Sequence, residues 1–145
     1  MNAQDLRPTP KAGILPYYID SEGIAKMLFM QPSDPKYGGS SFQIAKGGID
    51  PGEDDLTAAL REGEEELGLR RGNVVHTAKV TSETVSGLDE TYKLTVFLAQ
   101  IKDPAAFDTP HYETKRSTWL SQAEYARSGR SSQQSIVNKA FSMLK

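Results

Sequence analysis

Glu62, Glu65 and Glu66 stand at i, i+3 and i+4 in the stretch GGIDPGEDDLTAALREGEEELGL, residues 47–69, which reads as a glycine-rich loop running into a helix. On a helix that spacing gathers three negative charges on one face, with Cβ atoms about 5–6 Å apart. Like charges so placed repel and stabilise nothing by themselves. A hard divalent cation with oxygen ligands is the natural occupant of such a face. It would offset the charge of an anionic substrate and lower the pKa of bound water. The competing reading is a solvated acidic helix face, the usual meaning of a charge run.

The surroundings of that helix bear on the choice. From Glu53 to Glu66 seven acids accompany one base, Arg61, yet the whole chain carries a net charge of only −2. An acidic focus in a mildly basic remainder suits a metal site that handles an anion. The absence of cysteine excludes disulfides, thiolate metal sites and cysteine nucleophiles together. With 145 residues, 37% hydrophobic and 25% charged, the chain suits one soluble globular domain with a substantial core. It has no apolar run long enough for a membrane helix, and the polar start MNAQDLRPTP lacks the apolar centre of a signal peptide, so a cytoplasmic location is expected. A pI near 5.7 and scattered bases argue against a dedicated binder of duplex nucleic acid.

Several elements must position these residues. Residues 1–10, with Pro8 and Pro10, are expected as an extended N-terminal arm, and 11–145 as a single domain. Apolar runs at 12–19 and 24–31 predict a β-hairpin across Asp20-Ser21-Glu22-Gly23. Residues 32–41 read as a loop, 42–45 as a short strand and 46–52 as a second loop. The helix should start at Asp54 or Asp55 as N-cap and end at Gly68 in the left-handed position. Leu56, Ala59, Leu60, Gly63 and Leu67 form its expected inward stripe, with the acids beside it. Residues 73–85 and 90–101 predict a second hairpin, and 103–118 a loop. Ser121 with Glu124, and Ser131 with Gln134, have the spacing of capping boxes for two helices, the last burying Ile136, Val137, Ala140, Phe141 and Leu144. Strands before and after one central helix, with helices at the end, indicate a mixed sheet covered by helices on its faces.

The segment 47–69 resembles the Nudix box, G-x5-E-x7-R-E-U-x-E-E-x-G-U, where U is a bulky apolar residue. Gly47, Glu53, Arg61, Glu62, Glu65, Glu66, Gly68 and Leu69 all fall in register, eight of the nine defined positions. The ninth is Gly63, where the family has Ile, Leu or Val. A mid-helix glycine costs roughly 1 kcal/mol relative to alanine, so either a side chain from the sheet fills the space or the helix sits closer to the sheet. The resemblance implies an α/β protein, an α-β-α sandwich with a mixed β-sheet, and a pyrophosphohydrolase dependent on Mg²⁺, with Mn²⁺ as a substitute. By the same resemblance Glu65 and Glu66 are central metal ligands, and Glu62 is a further ligand or the base. Glu53 is a ligand or a partner of Arg61, which would orient a carboxylate through a bidentate pair. Outside the box, Glu113 is a candidate ligand or base, set against an exposed loop glutamate. Lys46 is a candidate phosphate contact, set against a solvated loop lysine. Gly47 and Gly48 let the backbone bend and approach a ligand. His76 reads as a surface or packing residue, while His111 lies near Glu113 and could touch substrate. Trp119, Tyr92 and Phe97 read as core.

The run FQIAKGGID, residues 42–50, is similar to the WQ-x-P-x-GG segment of dinucleoside polyphosphate hydrolases and bacterial RNA 5′-pyrophosphohydrolases, with Phe42 in place of Trp and Ala45 in place of Pro. Phe42 and Gln43 therefore join Lys46, Gly47 and Gly48 as candidate substrate-binding residues, although Phe42 suits the core equally well. Residues 84–87 carry neither the Pro typical of ADP-ribose pyrophosphatases nor the Tyr typical of dinucleoside tetraphosphate hydrolases. The expected reaction is hydrolysis of a nucleoside diphosphate linked to another moiety, first a dinucleoside polyphosphate or an RNA 5′-triphosphate end. Competing substrates are ADP-ribose, nucleotide sugars and damaged nucleoside triphosphates. A non-catalytic nucleotide-sensing domain would be expected to lose box carboxylates, and all four are present here. A calcium-binding surface helix would bind metal without turnover. The expected partners are a small nucleotide and an RNA 5′ end, without duplex nucleic acid or membrane; the sequence does not give an oligomeric state, while homodimers are common in the family it resembles.

Overall fold

Apolar alternation in the first third of the chain builds the centre of a sheet. In the computed structural model, which describes residues 8–34, 36, 40–86, 91–111 and 113–145, β1 (Thr9–Ile19) turns into β2 (Ala25–Pro32). The turn is made by Asp20, whose carboxylate accepts the backbone N–H of Glu22 and of Ile24 at 2.9 Å, and by Gly23 at φ 82°. Next come β3 (Ala45–Gly48), α1 (Asp55–Leu67), β4 (Val74–Ser86), β5 (Thr91–Ile101), β6 (Thr114–Leu120), α2 (Gln122–Ser128) and α3 (Gln134–Ser142). The strand order is β4-β5-β1-β2-β6, with β3 beside β1. Only the β1–β5 pair is parallel among these ladders, so the sheet is mixed. β1 forks: its last residues pair with β2 from Tyr17↔Met27, while its first half pairs with β3 from Lys11↔Gly48 to Ile14↔Ala45.

Each face of the sheet buries its own apolar layer. On one, Ala12, Ile14 and Leu28 meet Ala58, Ala59 and Leu67 of α1. On the other, Leu15, Phe29 and Val96 meet Tyr125 of α2 and Ile136, Val137 and Phe141 of α3. The result is the α-β-α sandwich. Among the described residues no helix is long and apolar enough to cross a membrane.

Local expectations failed where pairing outweighed composition. The strand expected at 42–45 lies at Ala45–Gly48, while Phe42 and Gln43 form only isolated bridges, to Gly129 and Met30. The glycine pair therefore sits in a strand rather than a loop, held by the ladder to β1. Residues 114–118, expected as loop, belong to β6, an edge strand whose polar sequence reflects its exposed position. Ser131 caps no helix: residues 131–133 form a 3-10 turn, and α3 begins at Gln134 without a side-chain cap. Ala58 is buried on α1, whereas Leu56 is only half-buried. Thr9 and Pro10, within the expected arm, already belong to β1; residues 1–7 and the turn at 87–89 lie outside the described residues.

Gly63 answers the question its sequence raised. A Cβ there would stand 2.9 Å from Ile14 Cγ2 and 2.9 Å from Leu69 Cδ2. The helix lies close to the sheet, and Ile14 and Leu69 occupy the volume a larger residue would take.

Candidate active site

α1 is fixed at both ends. The Asp54 side chain accepts the Thr57 N–H at 2.7 Å, and Gly68 closes the helix at φ 72°. The last turn is then stitched to the chain before β6. Asp108 N–H donates to Gly68 O at 2.7 Å, His111 N–H to Glu65 O at 2.8 Å, and the Thr114 hydroxyl to Glu66 O at 2.8 Å. Carbonyls that a helix end leaves unpaired are thereby satisfied, and the turn that carries Glu65 and Glu66 is held against the sheet.

Between these anchors Arg61 organises three acids. Its Nε and Nη2 each donate to Glu53 at 2.9 Å in a bidentate fork, and its Nη1 donates to Glu62 Oε1 at 2.9 Å. Nη2 also reaches the Gly48 carbonyl at 2.9 Å, and Nη1 lies 3.5 Å from Glu65. Glu53 also accepts the Asp50 N–H at 3.0 Å, so both its oxygens are engaged. The Arg61 fork first, and then the Asp50 N–H, pull its carboxyl down to about 2. Of its two expected roles, Glu53 takes that of partner to Arg61 here.

Glu62 is 7% exposed, its carboxyl occupying the place where a side chain on Gly47 would begin. Any Cβ at 47 would collide with it, so the glycine gives this carboxyl its seat against β3. The Glu66 carboxyl is within hydrogen-bonding reach of Glu62 and accepts the Lys46 N–H at 3.3 Å. Burial, and then the neighbouring Glu62, push Glu66 well above the ordinary carboxylate range. Two acids are thus pressed together with their repulsion only partly relieved. Glu65 is more open, its side chain 38% exposed. The structure thus sets Glu66 beside Glu62.

Among the described residues no three His, Asp or Glu side chains converge closely enough to enclose an ion by themselves. The Glu62–Glu66 pair nevertheless fits Mg²⁺ as a donor set. Hard carboxylate oxygens, those of Glu62 buried and those of Glu66 half-buried, supply the one or two protein ligands that Mg²⁺ takes beside water and phosphate.

The other expected site residues divide. Gly48 is exposed, its carbonyl accepting from Arg61 Nη2. Glu113 is exposed and directly precedes Thr114, so the stitched backbone brings it to the end of α1 that bears Glu65 and Glu66. Lys46 is a strand residue rather than a solvated loop lysine, its ammonium 5.0 Å from the Tyr92 ring centre. Phe42 and Gln43, at 6% and 3% exposure, are buried, so neither lines a pocket open to a nucleobase. Phe42 packs in the core layer, and Gln43 accepts a hydrogen bond from Arg130 at 3.3 Å. His111 serves α1 through its backbone, and His76 is exposed on β4 opposite Gln100.

Sequence reasoning passed over Thr114, whose hydroxyl holds the last turn of α1. Nothing near Thr114 marks it, because its partner lies 48 residues away.

A NUDIX domain family model matches residues 8–139. No curated protein matches in sequence. Among solved structures, an Ap4A hydrolase binary complex from C. elegans superposes with a TM-score of 0.77 at 20% identity, covering 94% of this chain and 97% of that one. The NUDIX domain of Shewanella oneidensis NrtR, complexed with ADP ribose, gives 0.80 at 11% identity, covering 100% and 94%. A Nudix hydrolase from M. smegmatis, RenU, gives 0.72 at 17% identity, covering 94% and 86%. At such identities the likeness is one of fold, while the matched family model spans nearly the whole chain. The chain belongs to the NUDIX domain family and is a Nudix pyrophosphohydrolase.

Proposed function

We propose that this protein hydrolyses a phosphoanhydride bond in a nucleoside diphosphate linked to another moiety, with a dinucleoside polyphosphate or an RNA 5′-triphosphate end as its substrate class and Mg²⁺ as its cofactor. The observation that carries this reading is the Glu62–Glu66 pair, two crowded carboxyls seated beside a glycine strand in register with the box. Glu62, Glu65 and Glu66 would hold the ion, with Glu53 acting through Arg61. Bound Mg²⁺ supplies neutralisation of phosphate charge and a lowered pKa for coordinated water.

The chain's own residues do the rest. Arg61 holds Glu62 at a fixed place through one N–H while its fork anchors Glu53, so the carboxylates face the substrate without reorganising. Either Glu62 or the exposed Glu113 takes the proton from the attacking water. The Lys46 charge is felt at Glu66, where it opposes the upward shift of that carboxyl, and so favours a phosphate nearby. The similarity of FQIAKGGID to the polyphosphate branch supports the substrate class, and the Ap4A hydrolase neighbour has the same fold. ADP-ribose remains the second reading, supported by the fold likeness to a domain complexed with ADP ribose.

A panel of dinucleoside polyphosphates, 5′-triphosphorylated RNA, ADP-ribose, nucleotide sugars and nucleoside triphosphates, with products resolved by chromatography, tests the proposal. Preferred cleavage of a polyphosphate or of the RNA end is expected. Preferred cleavage of ADP-ribose would transfer the assignment to the second reading.

A further inference from the structure

Two carbonyls that α1 leaves without a helical partner belong to Glu65 and Glu66. At Gly68 the chain turns back, so the Gly68 N–H meets Glu64 O at 3.2 Å and the Leu69 N–H meets Gly63 O at 3.1 Å. The next two carbonyls take donors from far along the chain. His111 N–H donates to Glu65 O and the Thr114 hydroxyl to Glu66 O, each at 2.8 Å.

Thr114 owes this reach to an irregularity in β6. On the ladder to β2, Leu28 pairs with Trp119 and Gln31 with Arg116, but Pro32 pairs with Thr114. Lys115 is therefore an extra residue, a bulge of the kind that re-aims a side chain. Trp119 packs in the apolar layer that α1 covers. Arg116 lies on the other face, its guanidinium 5.1 Å from the centre of the Phe42 ring. A strict two-residue period would put Thr114 with Arg116, away from α1. The extra residue reverses it and brings the hydroxyl to the helix. Thr114 is then only 8% exposed, although β6 is an edge strand.

The same residue adjoins Glu113, whose carbonyl accepts the Ser33 N–H at 2.9 Å just past the end of β2. One hydroxyl thus ties the backbone of Glu66 to the segment that carries Glu113. Helix ends fray, and ligands carried on a fraying turn lose the geometry that holding a metal demands.

We propose that Thr114 is a positioning residue: turned inward by the Lys115 bulge, its hydroxyl fixes the last turn of α1 so that Glu65 and Glu66 hold Mg²⁺ in register with Glu113. The inference rests on the reading of these carboxylates as the set that holds the metal.

Hydrogen exchange of the whole protein, with calorimetric titration by Mg²⁺, tests it without turnover on the parent, Thr114→Val and Thr114→Ser. Valine keeps the branched shape and removes the hydroxyl, leaving Glu66 O unpaired; serine keeps the hydroxyl. Thr114→Val should exchange the amides of residues 64–69 and of His111 about tenfold faster and bind Mg²⁺ about tenfold more weakly. Thr114→Ser should stay within about twofold of the parent in both. Parental exchange in Thr114→Val, faster exchange with parental Mg²⁺ affinity, or equal losses in the two variants would overturn the proposal. A parent that binds no Mg²⁺ would instead sink the metal reading itself, and the proposal with it. Circular dichroism confirms the fold of each variant, and Thr114→Ala, which also lacks the hydroxyl, replaces Thr114→Val should that one not fold.

Discussion

Arg61 is the residue on which the geometry of the candidate site turns. A guanidinium is planar and presents its donors in a fixed fork, and here the fork is spent on Glu53 while a third donor holds Glu62. A lysine could neutralise the same acids as a point charge but could not hold two carboxylates in set directions. Arg61→Lys is therefore expected to keep the fold and lower kcat by about 10–100-fold, the range typical of residues that orient a metal's ligands. Circular dichroism together with steady-state kinetics checks it; a kcat equal to the parent's would show that the fork orients nothing of consequence. The role expected of Arg61 was open to sequence reasoning because Arg61 and Glu53 are eight residues apart in one local motif. The seating of Glu62 was not. It depends on Gly47 lying in a strand, and two glycines in sequence suggest a loop.

At the scale of elements, α1 and β3 act as one unit. The helix sits so near the sheet that Gly63 has no room for a side chain between Ile14 and Leu69. Restoring the family's residue by Gly63→Leu overpacks this contact. It should lower the unfolding free energy by about 1–3 kcal/mol even though leucine is the better helix former. Urea denaturation measures this, and a gain in stability would mean that the helix lies farther from the sheet than described. The ends of α1 were legible from Asp54 and Gly68, because caps are local chemistry. β6 was not, because a strand such as TKRSTWL gains its place from pairing with β2 rather than from its own apolar content. Ser131 misled for a similar reason. The capping pattern is present, but buried Gln133 is tied to Ile44, 89 residues away, and the helix begins one step later.

At the scale of the whole molecule, the two faces of the sheet have different duties. One carries α1 and the carboxylates. The other carries α2, α3 and a buried polar set made by Tyr92, Gln133 and Tyr125. Tyr125 is fully buried and donates its hydroxyl to Arg130 O at 2.9 Å. Burial raises its phenol pKa above the ordinary 10.0. A pKa raised on folding contributes stability that is whole below the unfolded value and is lost as pH rises from there through the folded value. Stability should therefore fall above about pH 10, with a slope of at most about 1.4 kcal/mol per pH unit from this group. Tyr125→Phe should flatten that decline in urea midpoints measured across the range. An unchanged alkaline slope would mean that other groups govern it.

The central claim is that the crowded carboxylates on α1 perform phosphoanhydride hydrolysis. It is tested most directly by the turnover of a dinucleoside tetraphosphate, at saturating Mg²⁺, by the parent protein and by Glu65→Gln and Glu66→Gln, each confirmed as folded. Each substitution keeps the shape of the side chain and removes its charge. A loss of about 100-fold or more in each variant is the expected result. Turnover unchanged in both would contradict the assignment of these carboxylates.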